Sequence, residues 1–158
     1  MPPQTLLDIG SVDLSSTVVT REQIYEVIPH RYEFALLDGF CHLDLQTREM
    51  VAYKEVRGDD YWVRGHIPGR PLMPGVLMIE ASAQMISYFV KVASPHDGFM
   101  GFGGVDNVKF RGQVVPGDRL VLVGKMEEIR PGRRAIGVAQ GLVNGTMVYE
   151  GRITGLMV

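Results

Sequence analysis

Between Pro74 and Ala93 the chain places apolar residues on nearly every side of a helix. Val76, Leu77, Met78, Ile79, Ala81, Ala83, Met85, Ile86, Phe89 and Val90 leave no wide polar face. A helix of that kind has to be enclosed on all sides. Proline suits the start of a helix, and Ser94-Pro95 halts this one. The stretch Leu72 to Val92 approaches membrane-spanning length. It also contains Glu80, Gln84 and Lys91, and prolines stand at its start, which argues against insertion in a membrane. The remaining way to bury it is inside protein.

The material for that enclosure lies on both sides of it. Strand-like segments are expected at Ala35 to Leu43 and Glu49 to Val56 before the helix. After it they fall at Gly98 to Gly103, Asn107 to Val115, Arg119 to Ile129, Arg134 to Val143 and Thr146 to Leu156. Pro116-Gly117-Asp118, Pro131-Gly132 and Asn144-Gly145 punctuate them, the last being a strong hairpin signal. Thr20 with Gln23 forms a capping box for a short helix that Pro29 stops. These elements imply an α+β domain in which a curved antiparallel sheet wraps a long central helix, with Ala81, Ser82 and Ala83 letting the sheet come close. A chain of 158 residues is enough for one such domain and too short for two. We expect an N-terminal extension at 1–19 and a single domain at 20–158.

Composition excludes several function classes. With a net charge of −2 there is no basic surplus to attract nucleic acid or an anionic membrane. One cysteine, Cys41, permits neither an internal disulfide nor a Cys-based zinc motif, which fits the cytoplasm. The first residues have neither a basic start nor a long apolar run, so no secretory signal is expected there.

Two residues stand out. Glu80 lies about 9 Å along the helix at ~1.5 Å per residue, between Val76 and Gln84 at i−4 and i+4. A carboxylate there needs a partner, or else it keeps a proton. His66 sits in a loop fixed by Pro68, Gly69, Pro71, Pro74 and Gly75, and rigidity of that kind positions a catalytic group. The amides of Gly75 and Val76 at the helix start are free to face a developing negative charge. An imidazole base, a carboxylic acid and amide donors together suit proton abstraction next to a carbonyl.

The stretch GHIPGRPLMPGVLMIEASAQ, which holds all of these, closely resembles the GHFPGxPxMPGVLxxEAxAQ signature of the FabZ-type 3-hydroxyacyl-[acyl-carrier-protein] dehydratases. IPHRYEFALLDGF at 28–40 and GVDNVKFRGQVVPGDRL at 104–120 agree in order. The resemblance implies a hot-dog fold and a dimer, or three dimers in a hexamer, with the catalytic pair assembled across the subunit interface. It implies dehydration of a 3-hydroxyacyl thioester carried on the phosphopantetheine arm of acyl carrier protein, with His66 as base and Glu80 as a protonated acid. Neither a metal nor a dissociable cofactor is implied. His30-Arg31 falls in the first block and is expected to be structural. Departures are Ile67 for phenylalanine, Glu33 and Gln113 for prolines, and Gly39 where a basic residue often stands.

Arg130, Arg133 and Arg134, or Lys109 and Arg111, are candidates for steering an acidic carrier protein. Met73, Met78 and Met85 suit either an acyl tunnel or the core. The rival readings are a hot-dog acyl-thioesterase and a non-catalytic acyl-binding or regulatory hot-dog protein.

Overall fold

The computed structural model describes residues 3–158; residues 1 and 2 lie outside it. Its organising element is α2, Gly75–Ala93, which is buried along most of its length. A seven-stranded antiparallel sheet curves round it. The strands are β1 (Val19–Thr20), β2 (Gly39–Asp44), β3 (Glu49–Glu55), β4 (Met100–Phe110), β5 (Arg119–Arg130), β6 (Arg134–Val143) and β7 (Thr146–Met157). Their order in the sheet is β1-β2-β3-β5-β6-β7-β4, so β4 is an edge strand that pairs, among the described residues, with β7 alone.

The inner face of the sheet contributes Met50, Ala52, Leu120, Leu122, Ala135 and Ala139 to one core with Met85, Ile86 and Phe89 of the helix. Close approach is provided by glycine on the sheet as well as by small residues on the helix. A Cβ on Gly124 would lie 2.6 Å from the Met85 Cε, and one on Gly137 2.9 Å from the Ile86 Cδ1. Ala81 and Ser82, on the helix, are fully buried. The Asn144-Gly145 hairpin forms as expected, both residues holding positive φ (50° and 78°) as a type I′ turn demands. Helix α1, Arg21–Val27, begins at the Thr20–Gln23 capping box.

Two expectations change. The segments expected at Gly98 to Gly103 and Asn107 to Val115 merge into one continuous strand, β4, which runs from Met100 to Phe110. The glycines and Asn107 (φ 53°) mark register shifts within it, between Phe102 and Gly104 and between Asp106 and Lys109, rather than a turn. The strand expected from Ala35 starts only at Gly39, because the Leu36 and Leu37 amides are taken by the Gln84 and Tyr25 side chains rather than by a neighbouring strand.

The N-terminal residues are also more than an extension. Leu6, Leu7, Ile9, Val12 and Leu14 pack on the outer face of the sheet against a second core of Val51, Tyr53, Val121, Val123, Leu142 and Met147. This strap is pinned along its length. Gln140 accepts from the Leu6 amide (2.8 Å) and donates to the Gln4 carbonyl (3.0 Å). Arg119 donates to the Leu14 carbonyl (2.6 Å) while its guanidinium lies over the Tyr53 ring. Thr17 and Tyr53 share a hydroxyl hydrogen bond of 2.8 Å.

Deleting residues 1–18 should therefore expose the outer core. A loss of about 3 kcal/mol or more in urea unfolding is expected, from several half-buried aliphatic side chains, together with new binding of a hydrophobic dye. An unchanged midpoint and no dye binding would show that the strap adds nothing to stability.

Candidate active site

His66 is fixed by backbone bonds on both sides. Its amide donates to the Trp62 carbonyl (2.8 Å) and its carbonyl accepts from the Leu72 amide (2.8 Å). Ile67 and Arg70 close the proline-glycine turn between them with reciprocal bonds of 3.2 and 2.8 Å. The ring is held as well, with Nδ1 2.7 Å from the Leu72 carbonyl oxygen. A carbonyl can only accept, so Nδ1 carries the proton, and in the neutral ring Nε2 presents the lone pair. That is the tautomer a general base requires.

The side chain is exposed and opens on a concavity of about 290 Å³ shared with Leu72, Met73, Gly75, Val76 and Phe110. Among the described residues no side chain caps the start of α2; Pro74 occupies the N-cap position. The Gly75 and Val76 amides thus face the same concavity as His66 without a side-chain partner. Gly75 is needed for this shape, since a Cβ there would meet the Phe110 ring at 2.7 Å.

Glu80 lines a different cavity, of about 180 Å³, with His30, Ser87, Phe99, Met100 and Phe102. Its carboxylate lies 3.4 Å from the His30 Nε2 and accepts from the Gln84 amide nitrogen at 3.0 Å. Gln84 is fully buried and fully engaged. Its nitrogen also donates to the Phe34 carbonyl (2.7 Å), and its oxygen accepts from the Tyr25 hydroxyl (2.8 Å) and the Leu36 amide (3.3 Å).

The expectation that apolar surroundings keep Glu80 protonated needs correction. Burial does push its pKa up and is the largest single influence. The hydrogen bonds from His30 and Gln84 and the nearby imidazole outweigh it together, so the carboxyl is held below its ordinary value. Helix periodicity could not reveal this, because His30 arrives from 50 residues upstream in the chain.

Within one chain, then, His66 with the two amides and Glu80 with His30 occupy separate cavities. Strand β4 joins them: Phe110 at one end lines the first and Phe102 near the other lines the second. Of the methionines, Met73 and Met78 line the His66 cavity, whereas Met85 belongs to the core against Gly124. Arg130 and Arg134 pair with Glu128, and Arg111 with Glu150. No three His, Cys, Asp or Glu side chains gather as metal ligands among the described residues.

One long enclosed helix wrapped by a curved antiparallel sheet is the hot-dog fold. Solved structures share the fold. A chain of the dehydratase heterocomplex ApeI:P from Xenorhabdus doucetiae superposes with a TM-score of 0.54 at 21% identity, over 70% of this chain and 88% of its own. The TT0310 protein from Thermus thermophilus gives 0.59 at 17% identity, over 82% and 100%.

The model of the FabA-like domain matches residues 28–152. Two 3-hydroxyacyl-[acyl-carrier-protein] dehydratases named FabZ align more closely. The one from Clostridium botulinum (strain Loch Maree / Type A3) is 39% identical over 132 residues, covering 83% of this chain and 90% of that protein. The one from Alkaliphilus metalliredigens (strain QYMF) is 43% identical over 120 residues, covering 75% and 79%. The chain belongs to the FabA-like family, on its FabZ branch.

The depressed Glu80 pKa has a consequence for stability. A carboxyl that holds its proton less tightly when folded adds stability above its unfolded value, near 4.5, and loses it as pH falls through the folded value. Glu80→Gln should therefore flatten the acid end of the stability–pH curve below about pH 4.5. Parallel curves for the two proteins in acid unfolding would mean that Glu80 has no such preference for ionisation.

Proposed function

We propose that this protein is a hydro-lyase that converts (3R)-hydroxyacyl-[acyl-carrier protein] to the trans-2-enoyl thioester in fatty acid biosynthesis. The single observation that supports this most is the fixed tautomer of His66, whose free Nε2 opens on the cavity that also receives the uncapped amides of Gly75 and Val76. In this mechanism His66 Nε2 takes the C2 proton, and the released electron pair moves toward the thioester carbonyl. The Gly75 and Val76 amides stabilise the charge that grows on its oxygen. As the double bond forms, the C3–O bond breaks, and the hydroxyl leaves as water with the proton from Glu80. Every proton is accounted for by these side chains, so the reaction needs neither a metal nor a dissociable cofactor.

His66 and Glu80 must come from different copies of the chain. Edge strand β4 supports that arrangement, because Phe102, Val105 and Phe110 are all about half exposed (51%, 41% and 51%) and an edge of this length invites pairing. Antiparallel pairing of two β4 strands about a twofold axis sets the Phe110 end of each against the Phe102 end of the other. Each His66 cavity then meets the partner's Glu80 cavity. The active unit is a homodimer with two such sites, and trimers of dimers are compatible with it.

The partner that delivers substrate is acyl carrier protein, its acyl group carried on the phosphopantetheine arm. Of the candidate docking cations, Lys109 and Arg133 have no carboxylate partner among the described residues and are the ones available to an acidic carrier. We place the protein in the cytoplasm and assign catalysis to 20–158, with 1–19 as its strap. Helix α2 is long and apolar enough to cross a membrane but is enclosed by the sheet.

The test is formation of the enoyl-thioester absorbance from 3-hydroxybutyryl- and 3-hydroxydecanoyl-carrier protein. His66→Ala and Glu80→Gln should each lower kcat by about 10²–10⁴-fold. Mixing the two inactive variants should restore about a quarter of wild-type activity, since half of the dimers are hybrids with one intact site. Turnover absent in the wild type would reject the dehydratase, and no recovery on mixing would reject the shared site.

A further inference from the structure

The cavity that holds Glu80 runs along α2. Glu80, Ala83 and Ser87 line it at i, i+3 and i+7, which is one face of a helix. The next position on that stripe is Lys91, and it lines the adjoining cleft instead. Ser87, Phe99 and Met100 border both spaces and so form the partition between them.

The two sides of the partition differ in chemistry. Beyond Glu80 and His30, the near side is walled by Ala83, Phe102, Ile153 and the glycines Gly101 and Gly155. The far side brings in Glu26, Arg31, Lys91 and Asp97. A hydrocarbon tail entering there would strip water from charged groups and give them no partner in return. The partition is also held in place. Phe99 exchanges two backbone hydrogen bonds with Val158, of 3.1 and 2.8 Å. Met100 lies so close over Gly155 that a Cβ there would be 2.5 Å from its sulfur.

We propose that Phe99 sets an upper limit on the acyl chain this enzyme accepts, at about twelve carbons in all. The proposal rests on the dehydratase reading above, in which Glu80 meets the C3 hydroxyl. C4 and the carbons after it then continue from Glu80 along the stripe toward Ser87. Those seven residues of helix rise ~10 Å, the reach of about eight extended methylenes, before the chain meets Phe99. Gly101 sets the width of the same groove. A Cβ there would lie 3.6 Å from the Val158 Cγ2 and 3.9 Å from the Phe99 ring, which is ordinary contact, so a side chain fits and takes its room from the groove.

The limit can be read by binding as well as by turnover. Saturated acyl-pantetheines carry no 3-hydroxyl and cannot react. From butyryl upward they should bind about fourfold tighter with each added methylene until the limit, and no tighter beyond it. In turnover, kcat/KM for 3-hydroxymyristoyl-carrier protein should fall about tenfold or more below that for 3-hydroxydecanoyl-carrier protein. Phe99→Ala should raise the myristoyl-to-decanoyl ratio about tenfold, and Gly101→Val should lower the decanoyl-to-butyryl ratio by about as much. A loss of folding would lower every chain length alike and leave both ratios where they were. Wild-type affinity that climbs steadily through palmitoyl, or a length profile unchanged in Phe99→Ala, would overturn the proposal. Wild-type protein that binds acyl-pantetheines with this limit but turns over no substrate would instead reject the dehydratase reading and leave the limit standing.

Discussion

Everything in this molecule follows from the need to enclose α2. A nineteen-residue helix with apolar side chains all round cannot rest on a flat sheet, because half of it would stay in water. The sheet has to curve, and Gly124 and Gly137 sit where it comes closest, under Met85 and Ile86. That curvature leaves little room for polar groups, and Glu80 and Gln84 supply two of them on one stripe of the helix. They are tolerated because the segment after α1 brings His30, the Phe34 carbonyl and the Leu36 amide alongside, while Tyr25 comes from α1 itself. The polar stripe and its partners thus amount to a single built feature within the core.

The same enclosure positions the other half of the chemistry. Pro74 ends the loop and begins the helix, so the loop's rigidity passes directly to the first amides of α2. The Met73 amide donates to the Val114 carbonyl at 2.8 Å, tying the loop to the segment between β4 and β5. His66, Gly75 and Val76 are therefore held together by one short, cross-braced piece of chain. Glu80 is little more than one turn farther along the same helix, yet it faces a separate cavity.

Much of this is legible in the sequence, for physical reasons that can be named. The helix, the capping box at Thr20 and the Asn144-Gly145 hairpin are local, and local chemistry determines them. The strap is not legible as such. Its signal lies in Leu120-Val121-Leu122-Val123, where both faces of a strand are apolar: Leu120 and Leu122 face the helix, Val121 and Val123 the strap. A strand apolar on both faces must be covered twice, but nothing local says which segment provides the second cover. Strand β4 reads as two strands for the opposite reason, because its glycines and Asn107 imitate a turn where the structure has bulges. The contact between His30 and Glu80 is not legible, because the two residues lie far apart along the chain.

The two halves of the proposed site are held in different ways. His66 is fixed by a backbone carbonyl, a neutral acceptor that settles the tautomer and adds no charge. Glu80 is held by the Gln84 amide and by His30, whose Nε2 lies 3.4 Å away. A base has only to present a lone pair, and a carbonyl is enough to aim it. An acid set in a partly buried, hydrogen-bonded position loses its proton to the very contacts that hold it still.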